Sequence, residues 1–192
     1  KNVLLIFDEV QTGFGRTGKM FACEHWGVVP DIICLAKSVA GGLPMGVTVA
    51  KEDIMCSLKI GEHSSTFGGS PLVCAAASAT IDVLVNEKLP ERAAMLGEYF
   101  KQKLGDLQAR HKIIKEVRGL GLMIGVELRV DALNILINSM NRGVLILDAG
   151  RNILRFLPPL VIQKEQIDKV LCVLDVVIGE EKDARLRGSP SN

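Results

Sequence analysis

The sequence predicts an α/β fold, in which part of a mainly parallel sheet is followed by a small α+β domain. The uninterrupted apolar run at residues 3–7 is typical of a fully buried parallel strand, and it leads into a polar, glycine-rich loop at 8–19. From residue 112 onward, short strand-like segments alternate with helical ones. Hydrophobic residues make up 48% of the 192 residues, which predicts a packed core.

The first part, residues 1–88, contains the predicted parallel sheet. Its predicted elements are strands at 3–7 and 32–35, an apolar stretch at 46–50, a short helix beginning near residue 51 and a helix at 71–87. Proline suits the first turn of the last helix, and the small residues that follow predict close packing against the sheet.

The second part, residues 89–192, is predicted to form the small α+β domain. Pro90 separates the preceding helix from an amphipathic helix that reaches Arg110. Further elements are strands at 113–117, 122–128, 144–147 and 153–156 and helices near 132–141 and 164–178. The polar tail, residues 180–192, is predicted to be frayed.

Composition and charge exclude several classes of function. A net charge of +1 without a basic, aromatic-rich patch argues against nucleic acid binding. Five cysteines without CxxC spacing and three well-separated histidines predict no disulfide framework and no metal site, and they favour a reducing compartment, the cytoplasm. No apolar run is long enough for a signal peptide or membrane span, so we expect a soluble protein. Without an initiator Met, the natural protein is expected to extend upstream.

Two motifs place reactive groups at predicted strand ends. In Asp8-Glu9-Val10-Gln11-Thr12-Gly13, a carboxylate at the end of a strand points into the crevice where open α/β sheets bind ligands. The alternative is a helix cap or a structural ion pair. Lys37 follows the second strand among small and apolar residues, so desolvation would lower its pKa and free its amine for imine formation. The alternative is a lysine that extends to solvent.

Three other motifs each allow a functional and an ordinary interpretation. Residues 13–18 match GxGxxG, but five residues separate them from the strand and two carboxylates occupy the place of a pyrophosphate, which argues against a dinucleotide site. The hydroxyl- and glycine-rich segment 63–71 precedes a helix and suits an anion site, or simply an N-terminal cap. Arg155, before two prolines, could bind a carboxylate with both arms, or be an ordinary surface arginine.

Taken in order, these motifs resemble the class III aminotransferase family, which includes acetylornithine, ornithine and 4-aminobutyrate aminotransferases. The resemblance covers residues 8–18, 30–44 and 63–76 and, more loosely, 118–128 and 155–162; Asp8 to Lys37 and Lys37 to Thr66 are each 29 positions apart. It implies the C-terminal part of the pyridoxal 5'-phosphate (PLP)-dependent transferase fold, which is aspartate aminotransferase-like fold type I. It also implies a homodimer whose subunits share two active sites.

The resemblance assigns the cofactor-binding residues. Lys37 would form the Schiff base with PLP and then move a proton between the substrate and the cofactor. Asp8 would pair with the protonated pyridine nitrogen. Val10 would pack on one ring face, and Gln11 would form a hydrogen bond near the ring hydroxyl. Glu9, in the same motif, would also belong to the cofactor-binding residues.

The remaining assignments concern the phosphate and the substrate. Thr66 would bind the cofactor phosphate across the subunit interface, Ser65 would touch the substrate, and Arg155 would bind the substrate α-carboxylate. Ser70 stands where many members of the family have Asn. The glycine-rich phosphate turn, the aromatic residue on the other ring face and a second arginine are all expected upstream, so the chain is expected to be about the C-terminal half of the enzyme.

The implied reaction transfers an amino group from acetylornithine or a lysine-biosynthesis analogue to 2-oxoglutarate. The alternatives are a 4-aminobutyrate or ornithine aminotransferase, an aminomutase, or a non-catalytic fragment that needs its N-terminal half.

Overall fold

The computed structural model describes residues 3–188 of the chain, with side chains described as far as residue 181. Within these residues it forms a three-stranded sheet and a four-stranded sheet. The sheets belong to two compact units, bounded as Lys1–Ala93 and Ala94–Asn192. The boundary predicted between residues 88 and 89 lies five residues before this division.

The first unit contains the three-stranded sheet. Its strands, in spatial order, are β1 (Ile6–Asp8), β2 (Ile32–Leu35) and β3 (Val47–Ala50). β1 runs parallel to β2, with Asp8 opposite Cys34, whereas β3 is antiparallel to β2. The parallel pairing brings the carboxyl ends of β1 and β2 to the same edge of the sheet.

The carboxylate of Asp31 stabilises the other edge. It accepts the N–H of Leu5 at 2.8 Å through Oδ2 and binds Lys51 Nζ at 2.8 Å through Oδ1. The hydrogen bond from Lys51, followed by that from Leu5, lowers the pKa of Asp31. One side chain thus joins the start of β2 to residues next to both neighbouring strands.

The prediction of a fully buried strand at residues 3–7 was wrong. Only Ile6–Asp8 form the strand, and Val3, Leu4 and Ile6 are 77%, 57% and 58% exposed. β1 is an edge strand with a partner on one side only, and the described residues leave its apolar side chains uncovered. An apolar run indicates that a segment tends to be buried, but it does not indicate which other residues pack over it.

Short helical segments follow the strands. Two 3-10 helices lie at Ala22–Trp26 and Lys37–Ala40, and the α-helices are α1 (Glu52–Met55) and α2 (Pro71–Asn86). α2 begins with proline as predicted, but only Ala77 and Leu84 are buried on it. It packs mainly on the 3-10 helix at Lys37–Ala40, so the predicted close packing of its small residues on the sheet was wrong.

The second unit surrounds an antiparallel four-stranded sheet in the order β4-β5-β7-β6. Its elements in chain order are α3 (Leu89–Arg110), β4 (Ile114–Leu120), β5 (Met123–Leu128), α4 (Leu133–Asn141), β6 (Leu147–Asp148), β7 (Ile153–Phe156) and α5 (Lys164–Gly188). Gly119, near the end of β4, has φ 152°, and Gly121, in the turn to β5, has φ 51°, both in the region that favours glycine.

The core of the second unit lies between one face of this sheet and the helices. Buried and partly buried residues alternate along β5 and β7, as expected for strands with one face in the core. Leu154 and Phe156 point into the core, where the Phe156 ring meets Phe100 edge-on at 5.2 Å between centroids. Ile153 and Arg155 therefore lie on the opposite face.

The predicted fraying of residues 180–192 was wrong for the part that is described. α5 continues to Gly188, and residues 189–192 lie outside the described chain. Glu180 binds Arg142 Nη2 at 2.6 Å, and the buried Glu181 accepts a hydrogen bond from Asn134 at 3.3 Å. These contacts with α4 and its C-terminus hold the first part of the polar segment in the helix.

Between residues 3 and 188, no helix is long and apolar enough to cross a membrane. The described side chains contain no group of three or more His, Cys, Asp or Glu that could hold a metal ion. All five cysteines are free thiols.

Candidate active site

The ends of two adjacent parallel strands place Asp8 close to Lys37. Asp8 is the last residue of β1 and pairs with Cys34 of β2, and Lys37 follows Cys34 by three residues. With a rise of about 3.3 Å per residue and about 4.8 Å between paired strands, the backbones of Asp8 and Lys37 lie on the order of 11 Å apart. The motifs predicted from the sequence therefore meet at the carboxyl edge of the first sheet, where open α/β sheets bind ligands.

The carboxylate of Asp8 remains accessible. Its Oδ1 accepts the N–H of Val10 at 3.0 Å, which fixes the direction of the side chain after the strand ends. Within residues 3–181 it forms no ion pair. Gln11 is half-buried, and its amide has no hydrogen-bond partner among the described side chains. Both groups are available to a ligand.

Glu9 is placed very differently from Asp8. It is 2% exposed, its Oε1 accepts the N–H of Cys23 at 2.8 Å, and its Oε2 accepts the hydroxyl of Thr12. Burial, followed by the charges of Glu9 and Glu24, raises the pKa of the Cys23 thiol. The sequence motif did not distinguish the two neighbouring carboxylates, although successive residues at a strand end point to opposite sides.

Lys37 combines a free amine with an unusual backbone. It has φ 49°, in the left-handed region that non-glycine residues rarely adopt, and such a conformation costs roughly 1–3 kcal/mol. The buried Val39 and Ala40 anchor the 3-10 helix behind it, and Val39 N–H bonds to Ala36 at 3.2 Å. In the described part of the chain, the Lys37 amine has neither an ion-pair nor a hydrogen-bond partner. The Lys37 side chain is exposed in the described chain, so its predicted desolvation was wrong there, and its left-handed backbone is the feature typical of functional residues.

A glycine beside Lys37 sets the distance to α2. Gly41 ends the 3-10 helix at φ 61°, and a Cβ at this position would lie 2.9 Å from Thr80 Oγ1. The Thr80 hydroxyl itself donates to Ala76 O at 2.8 Å, so α2 offers a fixed surface there. The absence of a side chain at Gly41 therefore lets the segment that carries Lys37 approach α2 closely.

The GxGxxG segment forms a compact turn. Gly15 N–H bonds to Met20 O at 3.2 Å and Gly18 N–H to Gly15 O at 3.0 Å, and most of the segment is buried. The next helix is the five-residue 3-10 helix at Ala22–Trp26. A dinucleotide site uses the N-terminus of an α-helix directly after the strand, and this segment of the chain does not form that arrangement.

Ser65 and Thr66 lie in an exposed loop before α2. The Ser65 hydroxyl accepts the N–H of Gly68 at 2.9 Å, so it caps this loop. The Thr66 hydroxyl has no partner among the described residues. No hydrogen bond links this pair to Asp8 or Lys37, so the described chain does not join the loop to the strand-end site.

Arg155 belongs to the second unit, on the outer face of its sheet. It lines a cavity of about 610 Å³ whose other walls are mostly apolar. Its Nε is buried without a hydrogen-bond partner in the described chain. Arg155 is partly buried and forms no ion pair within residues 3–181, so its guanidinium is open to an anionic ligand.

A second arginine shares this face but is already paired, and the sequence motifs did not single it out. Arg118 and Arg155 lie on either side of Gly125 in one cross-strand row. Arg118 binds Glu127 at 2.8 Å and Glu116 at 2.7 Å, and the Glu127 bond is the first cause of its raised pKa. Only the structure distinguishes the paired arginine from the unpaired one.

Comparison with curated proteins identifies relatives along almost the whole chain. The acetylornithine aminotransferase of Methanocaldococcus jannaschii is 49% identical, with 95% of this chain and 46% of that protein aligned. The [LysW]-aminoadipate semialdehyde transaminase of Deinococcus radiodurans is 47% identical, with 100% of this chain and 46% of that protein aligned. The chain thus spans about half the length of the curated relatives it matches.

Solved structures of aminotransferases have a fold similar to that of this chain. The ornithine aminotransferase of Toxoplasma gondii, crystallised with oxidised glutathione and with PLP at partial occupancy in its active site, has a TM-score of 0.91 and 38% identity. The match covers 96% of this chain and 44% of that one. The predicted fold class, the C-terminal part of the PLP-dependent transferase fold, is therefore confirmed. The Aminotransferase class-III family matches residues 1–178, so the chain belongs to this family.

Proposed function

We propose that the natural protein is a PLP-dependent aminotransferase, in which Lys37 forms the covalent link to the cofactor. The observation that carries the proposal is that the unpaired Lys37 amine and the accessible Asp8 carboxylate follow adjacent parallel strands at the same edge of the sheet. Membership in the class III family supports the same chemistry.

The groups at this edge fit the chemistry of PLP. An amine is required for the aldehyde, a carboxylate for the protonated pyridine nitrogen, and a hydrogen-bonding side chain for the ring hydroxyl. Lys37, Asp8 and Gln11 supply these groups, and none of them is engaged in an ion pair within residues 3–181. When bound, PLP supplies the electron sink that stabilises negative charge on the substrate carbon.

Each residue has a task that depends on its position. Asp8 holds the positive charge on the ring nitrogen, and Val10, half-buried in the same turn, packs against the ring. The Lys37 amine would hold the cofactor covalently through its aldehyde, and the same amine would serve as the base that moves a proton at the substrate carbon. Gln11 donates a hydrogen bond near the ring hydroxyl.

We further propose that the amino donor has a reactive terminal amine, like acetylornithine or a lysine-biosynthesis analogue, and that 2-oxoglutarate is the acceptor. The names of the relatives from M. jannaschii and D. radiodurans support this class of substrate. Arg155 binds the α-carboxylate, a role supported by its unpaired Nε and by the cavity that it lines. Ser65 contacts the substrate.

A homodimer with shared active sites is part of the proposal. Thr66 binds the cofactor phosphate of the partner subunit, which is consistent with its exposed position and with a hydroxyl that has no partner in the described chain. A cytoplasmic location completes the proposal, and the five free thiols support it.

The test of Lys37 is chemical and does not require turnover. The full-length natural polypeptide is incubated with PLP, reduced with borohydride and digested, and mass spectrometry locates the cofactor. We expect PLP on Lys37, loss of this adduct in Lys37→Ala, and its retention in Lys19→Ala, which removes another lysine of the first unit. A reduced adduct that persists elsewhere, with an unchanged visible band in Lys37→Ala, would refute the assignment.

A further inference from the structure

Glu9 occupies a position that the proposed catalytic roles do not explain. It is a carboxylate at 2% exposure, next to the accessible Asp8, and no cation neutralises it within residues 3–181. Burying a carboxylate costs free energy unless its oxygens accept hydrogen bonds. Here the N–H of Cys23 and the hydroxyl of Thr12 supply those bonds, one to each oxygen.

The backbone of Glu9 is held as firmly as its side chain. Its N–H donates to Cys34 O of β2 at 2.9 Å, and its carbonyl accepts the N–H of Gly13 at 3.0 Å. A Cβ on Gly13 would lie 2.9 Å from that carbonyl oxygen, so the turn closes tightly on Glu9. Every polar group of Glu9 is therefore engaged, and these bonds reach β2, the turn and the segment at Cys23.

The engaged oxygens leave Glu9 unable to contact a ligand at the strand edge. Its bonds instead fix the residues on either side of it. Asp8 precedes Glu9, and Gln11 lies between Glu9 and Gly13, the two ends of the turn's backbone hydrogen bond. The bond to Cys34 also sets this turn relative to the strand that leads to Lys37.

We propose that Glu9 is a positioning residue that aims Asp8 and Gln11 at the cofactor ring, and not itself a cofactor ligand. The inference rests on the proposed function. Two charge-assisted hydrogen bonds from neutral donors, one of them a backbone N–H, hold the carboxylate in one orientation. Without them the turn loses its connection to Cys23, and Asp8 loses its fixed direction.

Glu24 provides a matched control in the same loop. Its carboxylate also accepts a backbone N–H of this segment, that of Phe21 at 2.7 Å, but it is exposed and its bond is local. Glu24→Ala removes a similar interaction without touching the turn that carries Asp8. A merely structural role for Glu9 would make Glu9→Ala and Glu24→Ala differ only in thermal stability.

The experiment compares PLP binding in Glu9→Ala, Glu9→Gln, Glu24→Ala, Asp8→Asn and the double variant Glu9→Ala/Asp8→Asn, all in the full-length protein. Fluorescence titration gives the PLP Kd, and the visible circular dichroism of bound PLP reports the orientation of the ring. We expect Glu9→Ala to raise the Kd on the order of tenfold to a hundredfold and to weaken the dichroism band. Glu9→Gln, whose amide can still accept from Cys23, recovers most of both signals, and Glu24→Ala leaves both as in the wild type.

The double variant tests whether Glu9 acts through Asp8. If it does, Glu9→Ala changes both signals less in the Asp8→Asn background than in the wild type, and the part that remains is its effect through Gln11. Thr12→Val, which removes only the hydroxyl donor, gives a smaller rise in Kd and keeps the test open if Glu9→Ala does not fold. If the effects of Glu9→Ala match those of Glu24→Ala, or add fully to those of Asp8→Asn, the positioning role of Glu9 is overturned while the proposed function stands. A wild-type protein that does not bind PLP through Lys37 would overturn the proposed function instead.

Discussion

Two glycines on the same helix should respond to alanine with opposite signs. Gly97 and Gly105 both lie in α3, where glycine costs roughly 1 kcal/mol relative to alanine. A Cβ on Gly97 would lie 2.0 Å from the carbonyl oxygen of Gly121, in the turn between β4 and β5, whereas a Cβ on Gly105 meets no atom within 4 Å. The local sequence of the helix gives no reason for this difference, since it arises from tertiary packing.

These distances decide how each alanine changes the stability of the protein. Gly105→Ala keeps the full gain in helix propensity, about 0.5–1 kcal/mol, which for a chain of this size raises Tm by a few degrees, roughly 2–4 °C per kcal/mol. Gly97→Ala gains the same propensity, but it pushes the helix away from a backbone carbonyl that cannot rotate aside. Overpacking of this kind costs about 1–3 kcal/mol or more, so we expect a net loss of stability.

The assay is thermal and urea unfolding of both variants, followed by far-ultraviolet circular dichroism. We expect the urea midpoint to fall for Gly97→Ala and to rise for Gly105→Ala, with unchanged slopes, because neither variant alters the surface exposed on unfolding. If both alanines raised the midpoint equally, the close approach of α3 to Gly121 would be refuted.

Three further outcomes are expected. Mixing subunits that carry Lys37→Ala with subunits that carry Thr66→Ala should restore about a quarter of wild-type activity, since a heterodimer with shared sites keeps one intact site; no restoration would place Thr66 in the same subunit as its Lys37. Arg155→Ala should lower kcat/KM for an α-amino acid donor about a hundredfold, with partial recovery in Arg155→Lys, and an unchanged value would refute the carboxylate contact. Hydrogen bonding, chiefly from His111, lowers the pKa of Asp175, so its stabilisation is complete above the usual aspartate pKa and is lost as pH falls through the lowered one. The Tm advantage of wild type over Asp175→Asn should therefore be present at about pH 7 and shrink as the pH falls below about 4, and an advantage that does not shrink in acid would contradict this.

Two strands could be predicted to the residue because turn-forming residues flank them. The bounds of β2 at Ile32–Leu35 and β7 at Ile153–Phe156 agree with the sequence prediction. The prediction failed where a distant part of the structure decides the outcome. The apolar run that contains β1 requires cover from other residues, and the end of α5 depends on contacts with α4 that lie far away in sequence.

The candidate site was predictable in its residue types but not in its geometry. The order and spacing of the motifs identified Lys37, and its position after β2 agrees with that prediction. Its left-handed backbone could not be anticipated, because lysine has no preference for that region and only the packing of the 3-10 helix imposes it. The burial of Glu9 was also missed, since nothing in the residue types Asp-Glu says which carboxylate turns inward.

Three charged residues proposed for chemistry share one property. In the described chain each is left without an ion-pair partner, whereas a residue of similar chemistry in the same unit is engaged in the fold. The unpaired and engaged members are Asp8 and Glu9, Lys37 and Lys51, and Arg155 and Arg118. A folded chain satisfies most buried or half-buried charges internally because leaving them unpaired costs stability. Among the three unpaired groups only Arg155 has a buried atom without a partner, so this criterion selects Arg155, whereas Asp8 and Lys37 are exposed and are selected by their position at the ends of adjacent parallel strands.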